Sequence, residues 1–351
     1  MAHVENILRG KMFVSSVDSG ISSGEKEFVD LIFAQENLGT VAFCAAMNHG
    51  ERYDSYHVAT HDANYLLRIS LENSPIFDGE NKILTQFSDN VVNIVPKLVS
   101  CNTLDIHSHP VQYQIISFER AKSAEEMGGS AILINHRPFL QTLKTLHGEK
   151  VSAPTFSDRL KQIFADTDFS ANPEFEELVK QNSENYQLLN DELSAAKQHV
   201  QDSFKPHFEE DKLIHFNLSN KNILFGEDSF KIVSWADACL ANPLIELARL
   251  KFSLYLDQSI EHKFFHEYNN LAGGKYSWEE YVQIRDFIAA IELLEGVYSY
   301  VKEIFLYGGK RQKHMLEIFS RFCKNSKHFD VIPAFRKNKN EIVKLFSAPM
   351  L

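Results

Sequence analysis

Strand-like hydrophobic runs dominate the first third of this chain and helical ones the rest, and that division restricts the fold more than any other feature. Over the first third, short β-rich runs at 40–44, 56–60 and 65–70 are separated by the polar turn segments Asn48-His49-Gly50 and 61–64. Such spacing predicts an antiparallel meander. A short helix is expected over 80–87, with Ile83, Leu84 and Phe87 on one face and Glu80 and Lys82 on the other. Strand-like runs return at 97–100 and 113–118, after which the period becomes helical. Helices are predicted over 139–147, 174–204 and 281–306, the last repeating apolar residues at Val282, Phe287, Ile291, Leu294, Val301 and Phe305. A small sheet followed by a helical remainder makes the chain α+β: a small antiparallel β-sheet lobe and a larger, mainly helical lobe. The expected division is an N-terminal arm at 1–38, a sheet lobe at 39–118 and a helical lobe at 119–351, with a hinge near 117–123.

Composition narrows the function classes. The chain has 351 residues, of which 44% are hydrophobic, enough to bury a sizeable core. Its formal net charge of -11 argues against a nucleic-acid partner, because phosphate binding needs Lys and Arg gathered in surplus on one face. The basic stretch 336–344 is expected to be a solvated end. The four cysteines, Cys44, Cys101, Cys239 and Cys323, form no C-x-x-C pair, and reduced, buried thiols are expected. No run of about 18 apolar residues predicts a membrane span, and the first residues carry no apolar signal core, so a cytoplasmic location is expected.

Chemistry concentrates in 213–238. Apolar runs there flank two polar clusters, His215-Phe216-Asn217 to Asn222 and Ser234-Trp235-Ala236-Asp237, the pattern of two loops at the ends of a strand hairpin. This segment resembles the signatures of the aminoglycoside phosphotransferase/choline kinase family. Those signatures read H-G-D-x-x-x-x-N-I-L, then I-D-W-E-x-A, then G-D-P-x-x-D-L-A. Here they align with His215-Phe216-Asn217 and Asn222-Ile223-Leu224, with Val233-Ser234-Trp235-Ala236, and with Ala241-Asn242-Pro243 through Glu246-Leu247-Ala248. Weaker matches extend from Asn48 to Phe322, including Leu143 to His147, similar to the family's helix ending in Leu-His.

The resemblance implies a two-lobed, protein-kinase-like fold and a phosphotransferase cleft that takes ATP and Mg²⁺. It assigns Gly50 to a phosphate-covering hairpin, Arg68 to the nucleotide phosphates and Glu80 to the helix carboxylate that pairs with that base. Ser117 completes this nucleotide-facing set at the hinge. His215 is given an architectural role beside the catalytic position, Asn217. The metal positions are Asn222 and Ser234, with Asp237 available as a displaced carboxylate.

Both charged positions have lost their charge. Phosphoryl transfer relies on a carboxylate that accepts the substrate hydroxyl's proton and on Mg²⁺ held by an Asp and an Asn. Asn217 carries an amide that takes no proton at neutral pH, and Ser234 is a neutral hydroxyl where a hard cation prefers a carboxylate. The reading is a pseudokinase that binds a nucleotide or small metabolite, with a protein partner left open. The alternative is an active small-molecule kinase with Asp237 and Asn222 on the metal. Asp105, His107 and His109 match no zinc spacing and read as a turn ending at Pro110. Glu292 and Glu295 either face a cationic ligand or lie on a solvated helix face.

Overall fold

The computed structural model describes residues 21–49, 53–70, 77–88, 91, 93–106, 109–118, 122–127, 130–168, 183–225, 230–307 and 312–347. Gly50 and His107 lie outside them. The chain divides into two compact units. The first comprises Met1–Met127, Lys150–Ser152 and Asn222–Ala236; the second comprises Gly128–Glu149, Ala153–Lys221 and Asp237–Leu351.

The first unit opens with a helix, α1 (Ser23–Gln35). Its start is a capping box: the Ser22 hydroxyl accepts from the Glu25 amide at 3.3 Å, and the Glu25 carboxylate accepts from the Ser22 amide at 2.6 Å. The polar arm expected at 1–38 hides this helix, on which Phe28, Val29, Ile32 and Phe33 recur at helical spacing, with Phe28 partly buried and Val29, Ile32 and Phe33 innermost. These last three are fully buried in one cluster with Val58, Leu67, Tyr113 and Ile115 of the sheet.

That sheet is the expected antiparallel one, with strands β1 (Phe43–His49), β2 (Tyr53–Ala59), β3 (Asn64–Ser70), β4 (Leu98–Ile106) and β5 (His109–Ser117). Their order is β1-β2-β3-β5-β4. The register places Tyr56 opposite Leu67 and Leu67 opposite Ile115. Because side chains alternate along a strand, Leu67 faces the α1 cluster and Arg68 faces the other way. Between β3 and β4 lies α2 (Asp78–Leu84), close to the predicted helix, with Glu80, Ile83 and Leu84 buried. Strands β4 and β5 run longer than periodicity indicated. Asp105 pairs with Pro110 at the end of their hairpin, so the expected turn is a strand-to-strand connection.

A two-residue strand, β6 (Lys122–Ser123), ends the first part of this unit. The second unit begins with α3 (Ser130–Ile134), α4 (His136–Leu146) and α5 (Phe156–Asp166), then α6 (Ser183–Ser203). Thr155 caps α5, its hydroxyl accepting from the Asp158 amide. The short strand β7 (Leu213–Ile214) pairs antiparallel with β10 (Cys239–Leu240). Between them the chain rejoins the first unit through β8 (Ile223–Phe225) and β9 (Phe230–Ile232), which form the predicted hairpin and a small sheet of order β6-β8-β9.

The rest of the second unit is helical: α7 (Pro243–Ser253), α8 (Gln258–Leu271), α9 (Trp278–Tyr307), α10 (Gln312–Asn325) and α11 (Pro333–Ser347). Pro243 sits in the first turn of α7 and the Asn242 side chain accepts from the Leu244 amide, an ordinary helix start. The 30-residue α9 packs against α6 and α7. Phe287, near its start, meets Phe156, Phe204 and Phe208 at ring separations of 4.8 to 6.2 Å. The basic stretch 336–344, expected as a solvated end, lies within α11 and buries Ile342.

All four cysteines are free, with Cys239 buried and the other three half-buried, so full burial holds for one thiol only. Among the described residues no helix is long and apolar enough to cross a membrane.

Candidate functional site

In the first unit, Arg68 projects from β3 on the face opposite the α1 cluster and is 3% exposed. A buried guanidinium must be paired, and this one donates to the Glu80 carboxylate at 2.7 Å and to the Gln114 side-chain oxygen at 3.1 Å. Gln114 is its cross-strand partner on β5. The second Glu80 oxygen accepts from the backbone amide of Trp235 at 2.8 Å. Glu80 therefore ties the β3 arginine, through α2, to the polar loop after β9.

Ser234 precedes that amide and has a left-handed backbone, φ 69°. Non-glycine residues adopt this region at a cost of about 1–2 kcal/mol. The buried Trp235–Glu80 bond fixes the conformation from the C-terminal side. Asn222 is half-buried, and its carbonyl accepts from the Val233 amide at 3.0 Å across the β8–β9 hairpin. Ser117 is tied to Lys97 twice: its hydroxyl accepts from the Lys97 amide and its own amide donates to the Lys97 carbonyl, each at 2.8 Å.

In the second unit, His215 follows β7 and is 2% exposed, its Nδ1 accepting from the Asn217 amide at 3.3 Å. Phe216, where the family signature has glycine, is in the left-handed region at φ 65° and fully buried. Arg249 of α7 lies 4.3 Å from its ring and Arg159 of α5 lies 5.7 Å from it, and Arg249 Nε donates to its carbonyl at 3.0 Å. Burial and these cation–π contacts offset the backbone cost.

The loop then exposes Asn217, whose Nδ2 donates to Asp237 Oδ2 at 2.7 Å. Arg159 holds the other Asp237 oxygen at 2.5 Å. Asn217, Asp237, Arg159 and Arg249 line a surface depression of about 280 Å³, together with Arg321 and Glu295. Glu292 and Glu295 do face cations, but the cations are the chain's own. Arg249 reaches both at 2.6 and 2.7 Å, and Arg321 reaches Glu292 at 2.6 Å. Burial alone would raise the Glu292 carboxyl; Arg321 and Arg249 outweigh it and hold the group below its ordinary value.

Beneath the loop sits Glu246, fully enclosed. One oxygen accepts from the amides of His215 and Phe216 at 2.5 and 3.4 Å; the other has no hydrogen-bond partner. Burial pushes this carboxyl up to about 7, against the two amides and Arg249. His147, the C-cap of α4, lies 4.0 Å away and donates or accepts at the Tyr268 hydroxyl at 2.6 Å. Burial pushes its imidazole down to about 3.

Periodicity and motif both missed Arg159, a basic residue on a helix outside any signature. Gln114 was equally silent, since its pairing with Arg68 depends on β5 lying beside β3. The predicted set also divides between the units: Arg68, Glu80, Ser117, Asn222 and Ser234 belong to the first, His215, Asn217 and Asp237 to the second.

No protein-family model and no curated protein matches the chain. Among solved structures it is similar to aminoglycoside phosphotransferase APH(4)-Ia, at 12% identity and a TM-score of 0.59 over 88% of this chain and 99% of that one. It is also similar to spectinomycin phosphotransferase APH(9)-Ia in complex with ADP and spectinomycin, at 13% identity and 0.57 over 87% and 98%. A third neighbour is choline kinase LicA from Streptococcus pneumoniae, at 13% identity and 0.58 over 87% and 99%. At such identities the likeness establishes the fold: α+β and protein-kinase-like, that of aminoglycoside phosphotransferases and choline kinases, as the motifs implied.

Proposed function

We propose that this chain is a pseudokinase: a kinase-fold protein that binds a nucleotide or small metabolite and acts through binding or regulation, with phosphoryl transfer impaired. The observation that carries this reading is the bond from Asn217 Nδ2 to Asp237, with Arg159 on the other oxygen. At the position where the reaction needs a proton acceptor, the side chain is instead a donor. The one carboxylate within the polar loops is occupied by that donor and by a guanidinium. Loss of a general base lowers rates by about 10² to 10⁴.

The donor set also argues against the metal. Mg²⁺ requires near-octahedral oxygen ligands, usually including one or two carboxylates. Asn222 and Ser234 offer an amide and a hydroxyl, and Asp237 is neutralised by Arg159. These residues do not fit Mg²⁺. Nucleotide binding is supported differently. The Arg68–Glu80 pair of the motif is intact and anchored to Trp235, and the spectinomycin phosphotransferase neighbour holds ADP. Four free thiols fit a reducing compartment, and we place the protein in the cytoplasm.

The test is a thermal-shift titration with ATP and ADP, each with and without Mg²⁺, paired with a phosphate-transfer assay on small alcohols and aminoglycosides. Ligand binding to the folded state raises the melting temperature by mass action. The expected result is nucleotide stabilisation that ignores Mg²⁺, with no transfer. Mg²⁺-dependent stabilisation together with turnover would replace this reading with the active kinase built on Asp237 and Asn222.

A further inference from the structure

We infer that His262 and His266, on α8, form a two-imidazole chelate for a late first-row divalent transition metal, with copper and nickel preferred over zinc. This site stands apart from the motif loops and does not depend on the proposed function. Residues four apart lie one above the other on a helix face. Here that face is the outer one: both histidines are exposed, while Phe264, Phe265 and Tyr268 of the same helix are buried.

The two Nε2 atoms stand 2.9 Å apart, and the ring centroids 4.1 Å. Without metal, one imidazole N–H donates to the other's lone pair. Coordination uses both lone pairs, so the donor ring moves its proton to Nδ1 and stays neutral.

The spacing also carries a preference. Metal–nitrogen bonds of about 2.0–2.1 Å put two nitrogens about 2.9 Å apart at a right angle and about 3.3–3.4 Å apart at a tetrahedral one. Starting from the 2.9 Å hydrogen-bonded pair, the right-angle arrangement therefore asks for the smaller opening of the two rings. Right-angle nitrogen pairs belong to tetragonal Cu(II) and Ni(II), and tetrahedral ones to Zn(II). Copper also leads the intrinsic affinity order for such ligands.

The chelate is preorganised. Trp278, at the start of α9, packs against both rings, at 4.7 Å from His262 and, stacked within 11°, at 6.4 Å from His266. The first turn of α8 is capped by Asp257, which accepts from the amides of Ser259 and Ile260 at 2.8 and 3.0 Å. Neighbouring Glu261 is buried and committed to Lys251 at 3.1 Å and Arg285 at 3.4 Å. Water or an external donor would therefore complete the coordination.

Trp278 supplies the readout, since the chain has only two tryptophans and the other, Trp235, is buried in the first unit. The full-length protein is titrated with CuSO₄, NiCl₂, ZnCl₂ and MgCl₂ under tryptophan emission and by calorimetry. Copper and nickel should quench emission saturably at one ion per chain, zinc should bind more weakly, and magnesium should have no effect. His262→Ala and His266→Ala should each raise the copper Kd by about 10- to 100-fold or more, at least the cost of losing an outer-shell partner. Both positions are exposed, so unchanged metal-free melting is expected. Trp278→Phe should remove the quench while calorimetric binding remains. No saturable binding, unchanged affinity in both histidine variants, or zinc binding tighter than copper would each overturn the assignment.

Discussion

Asn217 donates its side-chain amide to Asp237 at 2.7 Å, so the residue at the catalytic position serves as a clamp on its neighbour's charge. Restoring aspartate by Asn217→Asp should therefore not restore a kinase. It replaces a charge-assisted hydrogen bond with two carboxylates in contact, one of which must then take a proton more readily. The expected outcome in urea denaturation is a loss of about 1–2 kcal/mol at pH 7. No phosphate transfer should appear.

Asp237→Ala separates the two readings of that carboxylate. In the structure it neutralises Arg159, whose side chain is 18% exposed. Removal should cost about 1 kcal/mol, between the values for exposed and buried pairs. Nucleotide-induced thermal shifts, with or without Mg²⁺, should match those of the unmodified chain. A selective loss of the Mg²⁺-dependent shift would make Asp237 a metal ligand.

The fold was legible because two periods, 2 and 3.6, occupy separate stretches. Leu67 and Ile115 announce strands, and the repeat from Val282 to Phe305 announces a helix, without long-range information. What failed was non-local. Residues 23–35 form a short helix whose inner face, Phe28, Val29, Ile32 and Phe33, gains its stability from Val58, Leu67 and Ile115 of the sheet. Arg159 reaches Asp237 from 78 positions away, a pairing that no local pattern encodes. Phe216 conceals a left-handed position, since glycine is the residue that advertises one and phenylalanine holds it only through burial and two arginines.

Glu80 joins Arg68, Gln114 and the Trp235 amide inside the first unit, so its truncation should be severe. Glu80→Ala leaves a guanidinium of 4% side-chain exposure without its counter-charge and a buried amide without an acceptor. Breaking a buried pair from one side costs about 3–5 kcal/mol. Glu80→Gln keeps an acceptor for Trp235 and should recover part of that loss. Chemical denaturation of both variants checks the ordering.

The last prediction concerns pH and rests on Glu246. Its buried carboxyl is raised to about 7 from 4.5, so the folded state holds a proton that the unfolded chain has released. The stabilisation is complete below about 4.5 and is lost as pH rises through about 7, amounting to about 3 kcal/mol at most for such a shift. His147 works in the opposite sense. Lowered to about 3, it stays neutral when the unfolded imidazole charges, so its contribution is present above about 6.5 and is lost on acidification. The two slopes oppose each other between about 4.5 and 6.5, and the unmodified protein should look nearly flat there. Glu246→Gln removes one slope and keeps an acceptor for the His215 and Phe216 amides. Its stability relative to the unmodified chain should rise steadily from pH 4.5 to 7 and then level off. A parallel pair of curves over that range would mean that the carboxyl stays ionised beneath the loop, with its unpartnered oxygen hydrated.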